Sequence, residues 1–310
     1  MALPNNLIAF GPNANCTLDL CPIEATVYHY RPSLPANAVF ISLFAICMSV
    51  HLFQGCYYRT WTYSINNAVG CITEIIGYSG RIIMYMNPFS FTGFMMQICC
   101  ITFAPVFFCA AIYITLTKIV NHLGPKYSRL PPKAYYWIFL PCDIVSLALQ
   151  GAGGGLSTDS SGSSQIGVNV ALAGLSFQVV TLTCFSGFCI DYAIRYYRSK
   201  DVAKKPLTRP FKVFAIFLAI AILLILARCI FRVDELSEGY SGHLIRNEGL
   251  FIGMEGVLVV LAAFALNGSQ PGPAFGAQGM VTQVDNADVE KLATNDNSEH
   301  IKVGDGQPGR

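Results

Sequence analysis

Residues 143–155 read DIVSLALQGAGGG and lie inside an apolar run that begins near Ala134. On a helix, positions 143, 146, 150 and 154 share one face. That face carries Asp143, Ser146, Gln150 and Gly154, while Ile144, Val145, Leu147 and Leu149 occupy the other. If the run spans a bilayer, the acid sits near mid-depth. A charge in hydrocarbon is costly, so this stripe must face protein or water. The rest of the chain has to give it somewhere to point.

Composition fits that demand. Only 12% of the 310 residues are charged, 53% are hydrophobic, and the mean hydropathy is +0.48. Soluble domains carry about 25% charged residues, so the chain reads as an integral membrane protein. The net charge of +2 is segregated into loops. There is no basic, aromatic-interleaved patch for a nucleic-acid partner. Ten of the twelve cysteines lie in or beside apolar runs and read as small hydrophobes. Cys16 and Cys21 sit in a polar tail and could pair by a disulfide if that tail is outside the cell. No charged segment followed by an apolar one opens the chain, so no cleavable signal peptide is expected.

Seven apolar runs follow, near 36–57, 65–86, 93–118, 134–154, 167–191, 211–231 and 248–267. Each is long enough to span, since about 20 residues suffice. The expected fold is an all-α integral membrane protein, a seven-transmembrane helix bundle. Its parts are an extracellular tail (1–34), a membrane domain (35–267) and a Gly-, Asn- and Asp-rich cytoplasmic tail (268–310) too poor in apolar residues to bury a core. Run two is the least hydrophobic, holding Thr73, Glu74, Ser79 and Arg81. Run three contains Pro105, tolerated when a neighbour satisfies the carbonyl it frees.

Loop charge gives the expected orientation. Lysines and arginines cluster after runs three and five, while Asn87–Ser90 and Ser157–Gln165 have none. Basic loops stay cytoplasmic, so the N-terminus is expected outside and the C-terminus inside. Asn15-Cys16-Thr17 then becomes a glycosylation acceptor at Asn15, and Asn267-Gly268-Ser269 does not. The loop after run six is expected to be outer yet carries Asp234, Glu235, Glu238 and Glu248. It reads equally as a solvated turn or short surface helix and as a lid or substrate-entry element.

The intramembrane polar residues carry the functional content. Glu74, Asp143 and Glu255 fall near mid-depth, His51 in the inner half, and Arg81 and Arg228 in the outer half. Gln97, Gln150 and Gln178 add neutral groups. Glu74 and Arg81 are seven apart and share a face, with Gly70 and Gly77 beside it for close packing. One reading is structural: the arginines pair with acids on neighbouring helices, the glutamines cross-link helices, and His51 is an interhelical donor. The other is a polar cavity for a substrate headgroup. No P-loop, no clustered zinc ligands and no nucleophile arrangement are present in sequence, so no cofactor, metal site or catalytic residue is expected. Gly153–Gly155 ends run four, where glycine allows close packing or a bend.

Several motifs, in order, carry a resemblance. They are YRPSLPANAVF and HLFQG in run one, EIIGYSGR in run two, QICCITFAPVFFCAAIY in run three, and LGPKYSRLPP in the following loop. FLPCDIVSLALQGAGGG, AGLSFQ and RCIFRVDELSEGYSGHLIRNE continue the series through runs four to six. The chain resembles the fungal lipid-translocating exporter family, also called the resistance-to-aminocholesterol or RTA-like family. It departs where many members carry His-Pro-Gly after run seven and this chain has Gln270-Pro271-Gly272.

The resemblance implies a seven-helix protein, expected at the plasma membrane, that translocates lipids or amphiphilic toxic compounds of sphingoid-base or sterol type and confers resistance. A cationic headgroup would then rest on Glu74, Asp143 or Glu255, with Gln97, Gln150 and Gln178 as hydrogen-bond partners. The alternatives are a membrane stress sensor that regulates lipid asymmetry and, third, a lipid-metabolising hydrolase. The partners expected are membrane lipids or amphiphiles, and nothing in the sequence assigns an oligomeric state.

Overall fold

A computed structural model describes residues 7–159, 165–199, 208–239, 242 and 244–275. Among these, the regular structure is all helical. The first six apolar runs become α1 (Leu34–Tyr58), α2 (Trp61–Met86), α3 (Phe91–Leu123), α4 (Pro132–Asp159), α5 (Gln165–Arg198) and α6 (Arg209–Ser237). The seventh is continuous but changes pitch: α7 (Glu248–Leu250), a π-helical stretch (Phe251–Val257) and α8 (Leu258–Gly268). A short α9 (Pro271–Phe275) follows.

Local chemistry sets the boundaries. Pro35 and Pro210 stand in the first turns of α1 and α6, where a missing N–H costs nothing. Ser90 caps α3 by accepting from Gly93 N at 3.2 Å, and Asn247 caps α7 by accepting from Gly249 N at 3.1 Å. Gly124, at φ +124°, ends α3 in a conformation that side chains disfavour.

Among the described residues six helices are long and apolar enough to cross a membrane, and the protein is a multi-pass membrane protein. The exception to the expected seven is α2, whose polar residues lower its hydropathy below that of a span. Its length matches the others, and Asn67, Glu74 and Arg81 are all buried in it. Each helix packs on its successor, and α8 returns to α1 to close the ring. The most buried of the six is α3, which leans inward to touch α6 and α8 as well. The Asp143 stripe does face protein: Asp143, Ser146 and Gln150 are buried, while Ile144 and Val145 are more than half exposed.

Two boundaries differ from expectation. Run six was expected to stop near residue 231, with FRVDE in a loop. Instead α6 continues to Ser237, because Arg232 and Glu235 pair along one face. The first residues of the expected tail are helical and packed. Residues 268–275 pack on the bundle through buried Pro271, Gly272 and Ala274, and Gln270 Nε2 donates to Thr60 Oγ1 at 2.5 Å. The remainder of that tail, 276–310, lies outside the described residues.

Close approach of α2 and α3 depends on glycine. A Cβ at Gly70 would come within 2.5 Å of the Phe108 ring, and one at Gly77 within 2.5 Å of Ile101 Cγ1. Gly187, on the exposed face of α5, has nothing within 4 Å. Overpacking costs about 1–3 kcal/mol. Gly70→Leu and Gly77→Leu should therefore each lower the unfolding temperature of detergent-purified protein, while Gly187→Leu leaves it in place. An unshifted Gly77→Leu would refute the close packing.

Candidate functional site

The centre of the bundle holds a buried ion network. Arg228 on α6, fully buried, donates to Glu255 Oε2 from Nε at 3.1 Å and from Nη2 at 2.9 Å. Its Nη2 also donates to the carbonyl of Ile101 at 2.8 Å. That carbonyl is the one Pro105 frees, since proline has no N–H to offer four residues later. One turn along α6, Arg232 Nη1 donates to Glu235 Oε2 at 2.5 Å, and Nε lies 3.3 Å from Glu255 Oε1. The second contact is an ion pair by distance but lacks hydrogen-bond geometry. Glu74 reaches the same centre from α2, close enough to feel both Arg228 and Glu255. It is fully buried, and neither of its oxygens has a hydrogen-bond partner. Two arginines thus face three carboxyl groups, of which Glu74 is uncommitted.

The last long helix serves two layers. Glu248 and Glu255 are seven apart. Glu255 takes Arg228, whereas Glu248 lies 3.4 Å from Arg81 at the end of the bundle where the N-terminal tail sits. Arg81 also donates to Asn37 Oδ1 at 3.1 Å and to the Tyr30 hydroxyl at 3.3 Å, and its guanidinium lies 3.9 Å from the centre of the Phe251 ring. Residues 7–33 cover this end. Phe10 meets Phe94 edge-on at 5.1 Å, Arg31 stacks on Tyr85 at 3.8 Å, and Cys16 is bonded to Cys21. Burial pushes the Tyr28 and Tyr30 phenols above their ordinary pKa, which keeps both as neutral hydroxyls.

The remaining expected site residues fall into separate groups. Asp143 accepts from the Tyr113 hydroxyl at 2.7 Å, and no arginine pairs with it. Gln150 Nε2 donates to Gln178 Oε1 at 3.0 Å, joining α4 to α5. Gln97 is buried with its Oε1 unpartnered. His51 lies towards the opposite end, its ring 6.2 Å from that of Tyr63, with no hydrogen bond on either nitrogen. The nine residues expected in one polar cavity therefore occupy several layers. Glu74, Arg228 and Glu255 come together. Arg81, Asp143, the glutamine pair and His51 are each held elsewhere.

A cleft reaches the central network from the side. Its rim is formed by Met95, Cys99 and Phe103 on α3 and by Gly151 and Gly154 on α4, and Arg232 stands at its inner end. It holds about 50 Å³, room for one or two waters at roughly 30 Å³ each. A second space of about 20 Å³ lies beneath Tyr28, between Gln97, Glu235 and Phe251, and shares Arg232 with the first. Both lie towards the tail-covered end, early in α3 and late in α4 and α6. Among the described residues no group of His, Cys, Asp and Glu has the geometry of a metal site.

Arg232, Glu235 and Tyr113 are the site residues that the sequence reading missed. The signal for the first two was the spacing of Arg228, Arg232 and Glu235, which keeps them on one face if the helix continues. Tyr113 gives no such signal, because a tyrosine in an apolar run reads as core.

The family model described as RTA1 like protein matches residues 67–278. The sphingoid long-chain base transporter RSB1 of Saccharomyces cerevisiae is 30% identical, over 87% of this chain and 80% of its own length. Protoporphyrin uptake protein 1 of the same organism is 28% identical, over 77% of this chain and 91% of its own. Protein RTM1, also from S. cerevisiae, is 29% identical over 63% and 62%. No solved structure matches.

Removing one partner of a buried ion pair costs about 3–5 kcal/mol, whereas removing both can be nearly neutral. Arg228→Met and Glu255→Leu should each lower the unfolding temperature strongly, and the double variant should lie well above the sum of the two losses. A double-mutant cycle by thermal unfolding in detergent measures this. Strict additivity would show that the pair is not coupled.

Proposed function

The chain belongs to the RTA1-like family, and on that premise we propose that it is a membrane translocator of single-chain amphiphiles, with sphingoid long-chain bases as the substrate class. The observation that carries this is the 30% identity, over 87% of the chain, to a relative named for transporting such bases. The site is compatible in its chemistry. A long-chain base presents an ammonium, hydroxyls and one alkyl chain. The central network sets Arg228 and Arg232 against Glu74, Glu235 and Glu255. A cationic headgroup near the uncommitted Glu74 balances that count. The side cleft would let the chain stay in lipid while the headgroup approaches Arg232 and Glu235.

In this reading α2 is the seventh spanning helix, carried through the bilayer by the neighbours that bury its polar face. The N-terminal tail lies outside and the C-terminus in the cytoplasm. The basic-loop rule and a disulfide in the tail both support this orientation. The membrane is the plasma membrane, and export of toxic amphiphiles confers resistance. Asn15 is exposed and is the proposed glycosylation site.

Purified protein in liposomes should speed the movement of a fluorescent sphingoid base between leaflets, and Glu74→Gln should slow it several-fold. Equal rates for wild type and a stably folded Glu74→Gln would remove Glu74 from the substrate path. Absence of any movement with the wild type would overturn the translocator. Asn15→Gln should raise the gel mobility of protein made in a glycosylating eukaryotic host, as enzymatic deglycosylation does. If neither changes mobility, Asn15 is unmodified.

A further inference from the structure

Gly151 and Gly154 lie on α4 in regular helix, where glycine is less favourable than alanine. Neither has a positive φ, and a Cβ added at either meets nothing within 4 Å. Their neighbour Gly153 is different: a Cβ there would come within 2.7 Å of Ala171 Cβ, so it permits the contact between α4 and α5. Gly151 and Gly154 permit no contact. What they leave is the gap on the α4 side of the cleft, opposite Met95, Cys99 and Phe103. Gln150 lines the same cleft, is only 7% exposed, and has an Oε1 with no partner while its Nε2 is held by Gln178. Buried polar atoms without partners are few in folded proteins and call for an explanation.

We propose that Gly151 and Gly154 form the sill of a lateral portal between α3 and α4. Through it the alkyl chain of a single-chain amphiphile with hydrogen-bond donors in its headgroup passes, with Gln150 as its first polar contact. The proposal rests on the translocator reading for its substrate class. The slot is narrow: one helix face lacking side chains admits one chain and excludes a two-chain glycerolipid. Its position early in α3 and late in α4 opens it to the leaflet beside the N-terminal tail. Gln150 Oε1 accepts from an ammonium or hydroxyl as the headgroup turns inward, past Arg232, toward the Glu235 carboxylate. Because α4 has no packing partner at these two positions, larger side chains fill the portal without disturbing the bundle.

The test uses a C18 sphingoid base with a diazirine in its chain, photolysed on the full-length protein and mapped by mass spectrometry. Label is expected on α3 and α4 at the cleft. Gly151→Leu with Gly154→Leu should cut that label at least five-fold and slow transport to match, with an unfolding temperature equal to or above wild type. Gly155→Leu, which also meets nothing within 4 Å and does not line the cleft, should leave both unchanged. Undiminished label and transport in the double variant, or wild-type label confined to other helices, would overturn the portal. Label at the cleft without any transport by the wild type would keep the portal and overturn the translocator.

Discussion

Arg228 is the residue on which the bundle depends. A guanidinium at this depth needs partners for its donors, and the structure spends its Nε and Nη2 on two partners from different elements. Glu255 neutralises it from the last helix, and the carbonyl of Ile101 accepts from it on α3. The second bond removes the cost of Pro105, which would otherwise leave a bare carbonyl in the core. A proline, an acid and an arginine, each unfavourable alone in an apolar run, satisfy one another. Gly77 lets α2 close onto Ile101 from the other side, and so brings Glu74 to the same centre.

This arrangement separates the polar residues by task. Arg81 with Asn37, Tyr30 and Glu248 ties the tail-covered end together. The Asp143–Tyr113 and Gln150–Gln178 pairs hold α4 to its neighbours. Among the buried residues with unspent hydrogen-bonding capacity are Glu74, Gln97 and the Oε1 of Gln150. The last two line the adjoining spaces that meet at Arg232.

Much of this was legible in the sequence. The seven apolar runs appear as long helices, and the buried stripe on α4 follows from the spacing of Asp143, Ser146 and Gln150. The proline in run three and the glycines of run two announced a freed carbonyl and a close approach, and both occur. Partner choice was not legible. Asp143 looked like a candidate for an arginine and instead met a tyrosine, because pairing depends on which faces the ring of helices brings together. The end of α6 was misplaced because charge density reads as loop, while Arg232 and Glu235 neutralise each other and let the helix continue. The π-helical stretch has no signature in its residue types.

The backbone N–H of Ser33, just before α1, donates at 2.6 Å to Glu248 at the start of the last long helix, a separation of 215 residues. Helices are made and inserted from the N-terminus onward, so the tail emerges first but has nothing to dock on. Glu248 is also what Arg81 awaits. Until the ribosome has delivered that last helix, the tail can rest on α2 and α3 through Arg31 and Phe10, but Ser33 lacks its acceptor and Arg81 its counter-ion. The join between the tail and the last long helix is therefore the final contact of this end to form, and a chain truncated before Glu248 would present an arginine without its carboxylate to the cell's quality control.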